Sequence, residues 1–306
     1  MKGYTTKQFQ IMTDMDLVWD LMTDVFRPDG STGQFAPFFE YAAAGSWLNK
    51  ELMYLDRFWL FEGTPAAFVF YEQPVSRLFF VLREGHEILA DEMIAYAEEA
   101  FPVYDEPKCL VFSPGQQALL RAAERRGWHK NSEEVWYAFD FGKGKLDFPL
   151  PEGFRFVKPE ESDPLKVAKC LWDGFNSEEL GHFVDWDVPA SNGGRSPYEL
   201  YQSVLRCSSA PPPHATYEDE VIIANEEGEY VCFSGMWWVE KNKLAYMEPL
   251  CTVPEYQHRG LAAAALSEHD RRLRPRGAVI MTGGGNEFYR RIGYQVELRE
   301  LYYVKA

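Results

Sequence analysis

Val253-Pro-Glu-Tyr-Gln-His-Arg-Gly-Leu-Ala262, continued by Ala263-Ala-Ala-Leu-Ser-Glu-His-Asp-Arg-Arg-Leu273, decides how this chain is read. Ahead of it, Leu244-Ala-Tyr-Met-Glu-Pro-Leu-Cys-Thr-Val253 is apolar and rich in β-formers, so the local order is strand, tight polar turn, helix. Gly260 and the four alanines after Leu261 leave the first helical turn bare of bulky side chains, and a ligand can approach the backbone itself. The first N–H groups of a helix have no intrahelical acceptor and sit at the positive end of its dipole. They attract a phosphate or diphosphate, here with Gln257, His258 and Arg259 at its edge. Arg271, Arg272 and Arg274 complement the opposite end, which Pro275 and Gly277 close.

Gln257-His-Arg-Gly-Leu-Ala262 resembles the Arg/Gln-x-x-Gly-x-Gly/Ala signature of the GNAT N-acetyltransferases, whose turn cradles the pyrophosphate of acetyl-coenzyme A. The context extends the match: a β-like Ala278-Val-Ile-Met281, then Phe288-Tyr-Arg-Arg-Ile-Gly-Tyr294, which is similar to the family's Leu-Tyr-x-x-x-Gly-Phe segment. The resemblance covers about 244 to 306 and extends more weakly back to about 154. It implies an α/β fold with a mixed sheet and acyl-coenzyme A as co-substrate. Leu250, Cys251, Thr252 and Val253 would offer backbone groups to the pantetheine amides along a splayed strand. Gln257, His258, Arg259, Gly260, Leu261 and Ala262 would hold the diphosphate. Tyr289 takes the place of the family's proton donor to the departing thiolate; the bland alternative is a core tyrosine using its ring. Thr282 falls where the family often has a cofactor-contacting asparagine, and Asn286 follows four residues later.

With 306 residues, two domains are the default expectation. Hydrophobic content of 46% and aromatic content of 16% support well-filled cores. The net charge of −16 is spread evenly: residues up to 145 hold 14 basic and 22 acidic side chains, and the remainder 17 and 25. That argues against a sequence-independent grip on nucleic acid and favours cationic or amine partners. The five cysteines are scattered, with no Cys-x-x-Cys pair and no metal-ligand spacing, so a reduced, cytoplasmic setting and no metal are expected. No apolar run approaches the ~20 residues of a spanning helix, so no membrane role is expected.

In chain order, a strand over 4–12 and a helix with apolar spacing at Leu17, Val18, Leu21, Met22 and Val25 are followed by a helix over 38–49. A strand meander then spans 54–82. An amphipathic 88–101, a buried strand 109–112, a helix 116–126 and a strand 135–141 complete a first set. The second half repeats this order, and Leu119-Leu-Arg-Ala-Ala-Glu-Arg-Arg-Gly-Trp128 stands over Gly285-Asn-Glu-Phe-Tyr-Arg-Arg-Ile-Gly-Tyr294. The expectation is two tandem copies of one fold: a degenerate GNAT-like domain over 1–141, a linker over 142–153 and a catalytic domain over 154–306. In the first copy the turn Arg83-Glu-Gly-His-Glu87 is too short for a phosphate cradle, Glu84 and Glu87 would repel a diphosphate, and Ala123 replaces Tyr289. That half is left as scaffold, pocket wall or oligomer contact, which admits a homodimer.

A carboxylate acting directly or through water can deprotonate an ammonium before it attacks a thioester, and Glu248, late on the strand, is the candidate base; an exposed strand-end glutamate or ion-pair partner is the alternative. Gly283-Gly-Gly285 lacks the Lys-Ser/Thr of a nucleotide-triphosphate loop and reads as a flexible rim. His258 and His269 read as surface residues and Cys251 as packing. The stretch Asn176 to Pro197 is long and aromatic. The resemblance places it over the acceptor pocket, so Asp185, Trp186 and Asp187 make either a cation-binding rim or a solvated lid. Together these residues predict an N-acetyltransferase that passes an acetyl or short acyl group to a small primary amine by direct attack. The rivals are an acyl-coenzyme A sensing module without turnover and a scaffold with both sites dead.

Overall fold

The computed structural model describes residues 2–45, 48–103, 106–175, 180–189 and 194–305. It divides into two compact units, Met1–Trp136 with Val296–Ala306, and Tyr137–Gln295. Among the described residues no helix is long and apolar enough to cross a membrane.

In the first unit, β1 (Tyr4–Gln8), β2 (Arg57–Phe61), β3 (Thr64–Glu72) and β4 (Arg77–Leu82) form the antiparallel meander, and β5 (Cys109–Phe112) runs parallel to β4. Helices α1 (Met15–Val25), α2 (Ala36–Ala44), α3 (Ala90–Ala100) and α4 (Gln117–Arg125) complete it. The aromatic content has a structural destination here. Phe58, Phe68, Phe70 and Phe79 stack across three strands at 4.4, 5.5 and 5.4 Å, and Phe39 of α2 meets Phe68 and Phe70 edge-on.

The last strand of this unit comes from the far end of the chain. β12 (Val296–Val304) pairs antiparallel with β5, Leu301 opposite Phe112 and Val304 opposite Cys109, and lies between β5 and β6 (His129–Asp140). The final residues of β6 in turn serve the second unit, where Ala138, Phe139 and Asp140 pair with Thr282, Met281 and Ile280 of β11 (Ile280–Thr282). The units therefore divide at 136/137 and at 295/296, whereas the sequence suggested one boundary within 142–153. Mixed polar and apolar strands such as β6 and β12, at the ends of two similar copies, suit either sheet, so pairing partners are not encoded locally.

The second unit continues from the end of β6 through β11, β10 (Leu244–Thr252), β9 (Tyr230–Val239) and β8 (Val221–Ala224) to β7 (Arg155–Phe156). Every residue of β9 is buried, which explains an apolar run without alternation: both faces of this central strand are covered. One face packs on α5 (Pro164–Gly174), with Val167 and Cys170 against Ile222, Phe233 and Cys251. The other packs on α7 (Leu261–Leu273), with Leu261 and Ala265 against Val221 and Ile223. Between them in sequence, α6 (Pro197–Ser209) starts with a capping box of Ser196 and Glu199. The short α8 (Glu287–Ile292) precedes β12.

Residues 142–153 form a strap along α7. The Leu146 N–H donates to Asp270 at 2.7 Å and the Phe148 N–H to the Ser267 hydroxyl at 3.0 Å, while Arg274 donates to the carbonyls of Phe141 and Gly144. Leu146 itself is buried in the core. These partners explain why Ser267 and Asp270 of α7 are buried rather than exposed.

Candidate functional site

The site grows from the way β10 leaves its neighbours. Its register with β9 slips between Met247 and Leu250, so a bulge falls at Glu248 and Pro249. Gly235 of β9 lies beneath: any Cβ there would overlap the carbonyl oxygen of Glu248. Toward β11, β10 pairs only through Leu244 with Ile280 and Ala245 with Met281. The Thr282 hydroxyl then accepts the Met247 N–H at 2.8 Å, and beyond that bond the ladder between the two strands stops. Leu250, Cys251 and Thr252 pair with β9 alone, which leaves their other edge facing an open fork.

At the end of β10 the Gln257 side chain donates to the Thr252 carbonyl, tying turn to strand. His258 has φ 59° and Gly260, the N-cap of α7, has φ 87°, both left-handed. No side chain caps the helix. Among the described residues, the N–H groups of 258–263 find no acceptor. A row of free donors at a helix start, lined by Gly260 and Ala262, fits an anionic diphosphate. Arg259 is exposed at the edge, donating to the Glu255 carbonyl at 2.9 Å with its guanidinium 5.0 Å from the Tyr256 ring centre.

Tyr289 stands on the third residue of α8, 5% exposed, with its ring 5.2 Å from both Phe288 and Tyr294. Burial raises its pKa well above the usual tyrosine range and the nearby Glu248 charge adds to this, so the phenol keeps its proton at neutral pH. Its hydroxyl makes no hydrogen bond among the described residues. Glu248 is half-buried. Glu248 thus lies near enough to Tyr289 for its charge to act on the phenol. Asn286 is exposed and caps α8, accepting the Phe288 N–H at 3.1 Å, while Thr282 is buried and spent on the Met247 N–H.

Two sequence readings are corrected. Gly283 and Gly284 are no flexible rim: a Cβ on either would lie 2.6–2.7 Å from the Tyr289 ring. His269 is not at the surface but fully buried, its Nε2 2.9 Å from the Ser234 hydroxyl and its Nδ1 without a partner. His269 lies one turn after Ala265 on the side of α7 that packs on the sheet, and its ring reaches Ser234 of β9, so it has no route to water. Burial, with the Arg272 charge behind it, lowers its pKa from 6.5 to about 3. Between those values the unfolded chain binds a proton that the folded chain refuses. The stabilisation is complete above pH 6.5 and is lost as pH falls toward 3, at about 1.4 kcal/mol per unit. His269→Gln, which keeps the hydrogen bond to Ser234, is therefore expected to remove about 2 kcal/mol of the stability lost between pH 7 and pH 5 in urea titrations. An identical pH slope in variant and wild type would rule out His269 as the source.

Cys251 is buried with its thiol 3.6 Å from the Cys170 carbonyl, in a packing position. Within the 176–197 stretch, Asp185 and Asp187 are exposed, whereas the Trp186 ring is half-buried among Phe183, Tyr198 and Tyr201 at 5.5–5.7 Å. Residues 176–179 and 190–193 of this stretch lie outside the described residues.

The first unit has the same fork, filled from within. β4 and β5 pair through Phe79 and Val111, and there the Gln116 side chain takes over: it donates to the Phe80 carbonyl at 2.7 Å and accepts the Ser113 N–H at 2.9 Å. It also donates to Thr32 of the loop after α1, where Ser31 and Gly33 press against Gly115 and Phe80. Nothing in the sequence pattern distinguished this glutamine from an ordinary helix start. Its partners are 36 and 84 residues away.

No protein-family model matches the chain, and no curated protein matches it in sequence. Solved structures do match. An acetyltransferase of the GNAT family from Colwellia psychrerythraea is 10% identical with a TM-score of 0.60, over 98% of this chain and 100% of that one. A GCN5-related N-acetyltransferase from Sphaerobacter thermophilus is 14% identical with a TM-score of 0.56, over 100% and 96%. A tandem GNAT protein from the clavulanic acid biosynthesis pathway is 12% identical with a TM-score of 0.54, over 98% and 97%. At such identities a likeness establishes architecture rather than reaction. By its fold, this chain is similar to tandem GNAT proteins over its whole length.

Proposed function

We propose that the second half, sequence region 154–306, is an N-acetyltransferase that moves an acetyl or short acyl group from acetyl-coenzyme A to a primary amine, and that the first half is a degenerate copy without a cofactor site. The observation that carries this reading is the contrast between the forks. One opens beside a turn of unpaired N–H groups with Glu248 and Tyr289 at hand; the other is occupied by Gln116.

Acetyl-coenzyme A supplies the activated acyl thioester. The N–H groups of 258–263 and the α7 dipole hold the diphosphate, and the free edge of Leu250 to Val253 aligns the pantetheine amides. Glu248 accepts a proton from the ammonium, directly or through water, and the freed amine attacks the carbonyl carbon. As the C–N bond forms and the C–S bond breaks, Tyr289 gives its proton to the leaving sulfur, the nitrogen sheds its second proton to water to become the amide, and the phenolate is reprotonated from solvent. Thr282 and Asn286 act by shaping the fork and starting α8.

The test is a panel of amines with acetyl-coenzyme A, read by release of free thiol. Amine-dependent release is expected. Binding of acetyl-coenzyme A without release from any amine would favour a sensor, and no heat of binding at all a scaffold.

The exposed carboxylates of Asp185 and Asp187 beside the Trp186 cluster suit a cationic acceptor. At physiological salt the Debye length is ~8 Å, so near charges select while the overall −16 steers weakly. Asp185→Asn with Asp187→Asn keeps size and removes charge. It is expected to raise the acceptor KM about tenfold, roughly 0.7 kcal/mol for each charge, and to leave the KM for acetyl-coenzyme A unchanged. Equal acceptor KM values would make the lid ordinary surface.

A further inference from the structure

We propose that the Gly283–Gly284 peptide, with Tyr294 packed beside the ring, is the positioning element for the Tyr289 hydroxyl; this rests on the reading of Tyr289 as proton donor. A Cβ on Gly283 would lie 2.6 Å from Cδ1 of Tyr289, and one on Gly284 would lie 2.7 Å from Cε2 and 3.4 Å from the hydroxyl oxygen. Cδ1 and Cε2 are opposite corners of one ring. The glycine peptide therefore runs beneath the whole ring, and the phenol lies on bare backbone.

That backbone cannot retreat. The Tyr137 N–H donates to the Gly284 carbonyl at 3.1 Å, and a Cβ on Gly283 would also meet the Tyr137 carbonyl at 2.9 Å and Cε1 of Tyr294 at 2.7 Å. Tyr294 stands at 64° to the Tyr289 ring and is tied to it by its own N–H, which donates to the Tyr289 carbonyl at 3.0 Å. Three sides are fixed, so a methyl group added beneath can be accommodated only by lifting the ring. Non-bonded carbons rest at about 3.5–4.0 Å, so the lift is about 1 Å. A displacement of that size at a reacting group costs on the order of a hundredfold in rate. Plain packing would need no such arrangement, since alanine beneath a smaller side chain fills the same space. Two adjacent glycines are required only if a full tyrosine ring must sit this low.

Gly284→Ala is expected to lower kcat tenfold to a hundredfold, measured with acetyl-coenzyme A and the panel amine that gives the fastest thiol release. The Kd for acetyl-coenzyme A by calorimetry should stay within about threefold. In a Tyr289→Phe background the same substitution should have no further effect on kcat, because the hydroxyl it displaces is gone. 3-Fluorotyrosine at position 289 reports the displacement without turnover, and its ¹⁹F resonance is expected to move in Gly284→Ala. If that variant does not fold, Tyr294→Leu frees the ring at its flank and should show the same loss and the same non-additivity. A wild-type kcat in the glycine variant, or a full additional loss in the Tyr289→Phe background, overturns the proposal and leaves the glycines as packing. An unchanged kcat in Tyr289→Phe alone would instead overturn the proton-donor reading on which it rests.

Discussion

Gly260→Glu is expected to weaken acetyl-coenzyme A binding by at least about a hundredfold, some 3 kcal/mol. Two effects add. Gly260 holds φ 87° at the N-cap of α7, a conformation that costs a residue with a Cβ about 1–2 kcal/mol; the unliganded turn would relax out of it, and binding would have to restore it. The new carboxylate would also occupy the positive end of the helix, where it satisfies the free N–H groups itself and repels a diphosphate; that effect is worth up to about 2 kcal/mol. Gly260→Asn separates the two, because asparagine tolerates the left-handed region and carries no charge. It should lose about tenfold or less. Calorimetry on both variants is the measurement. Undiminished affinity in the glutamate variant would falsify the diphosphate site, and equal losses in the two would leave the charge argument without support.

Tyr289→Phe is expected to lower kcat by ~10²-fold or more with little change in the Kd for acetyl-coenzyme A. The ring, its contacts with Phe288 and Tyr294, and its seat on the glycines all survive, so only the proton is removed. A thiolate without a donor leaves slowly, and the loss should shrink when the leaving thiol is more acidic than that of coenzyme A. If kcat is unchanged for both thioesters, the buried phenol is packing and sulfur leaves unaided or with water.

What the sequence disclosed depended on how far apart the cooperating residues lie. The strand, turn and helix around Gly260 are contiguous, and their chemistry can be read from spacing; the structure keeps the bare turn, the left-handed glycine and the open edge of Leu250 to Thr252. Tyr289 was nameable through the family resemblance of its segment, and Glu248 as a carboxylate late on the strand before the turn. The glycines beneath Tyr289 were not, because three small residues in a row signal freedom unless the ring above them is known. His269 shows the same limit from the other side. Its polarity suggested the surface, but it falls on the side of α7 that meets β9 and bonds Ser234, while the strap of 142–153 covers Ser267 and Asp270, and neither placement is written in the residues beside them. Gln116 needed the loop at Thr32 and the strand at Phe80, neither predictable from the residues beside it. Fold class survived all of this, because it rests on the order of elements rather than on their partners.

The placement of β12 in the first unit bears on how this protein is made. A two-domain chain ordinarily folds its N-terminal domain while the remainder is still on the ribosome. Here the sheet of the first unit lacks the strand between β5 and β6 until residues 296–304 have been synthesised. At ~5–20 residues per second, the roughly 160 residues that follow β6 delay it by about ten to thirty seconds. During that interval the half made first waits on the part made last, and neither half is an independent translation product. A stop codon ahead of Val296 would spare every residue of the second unit and leave the first without its closing strand.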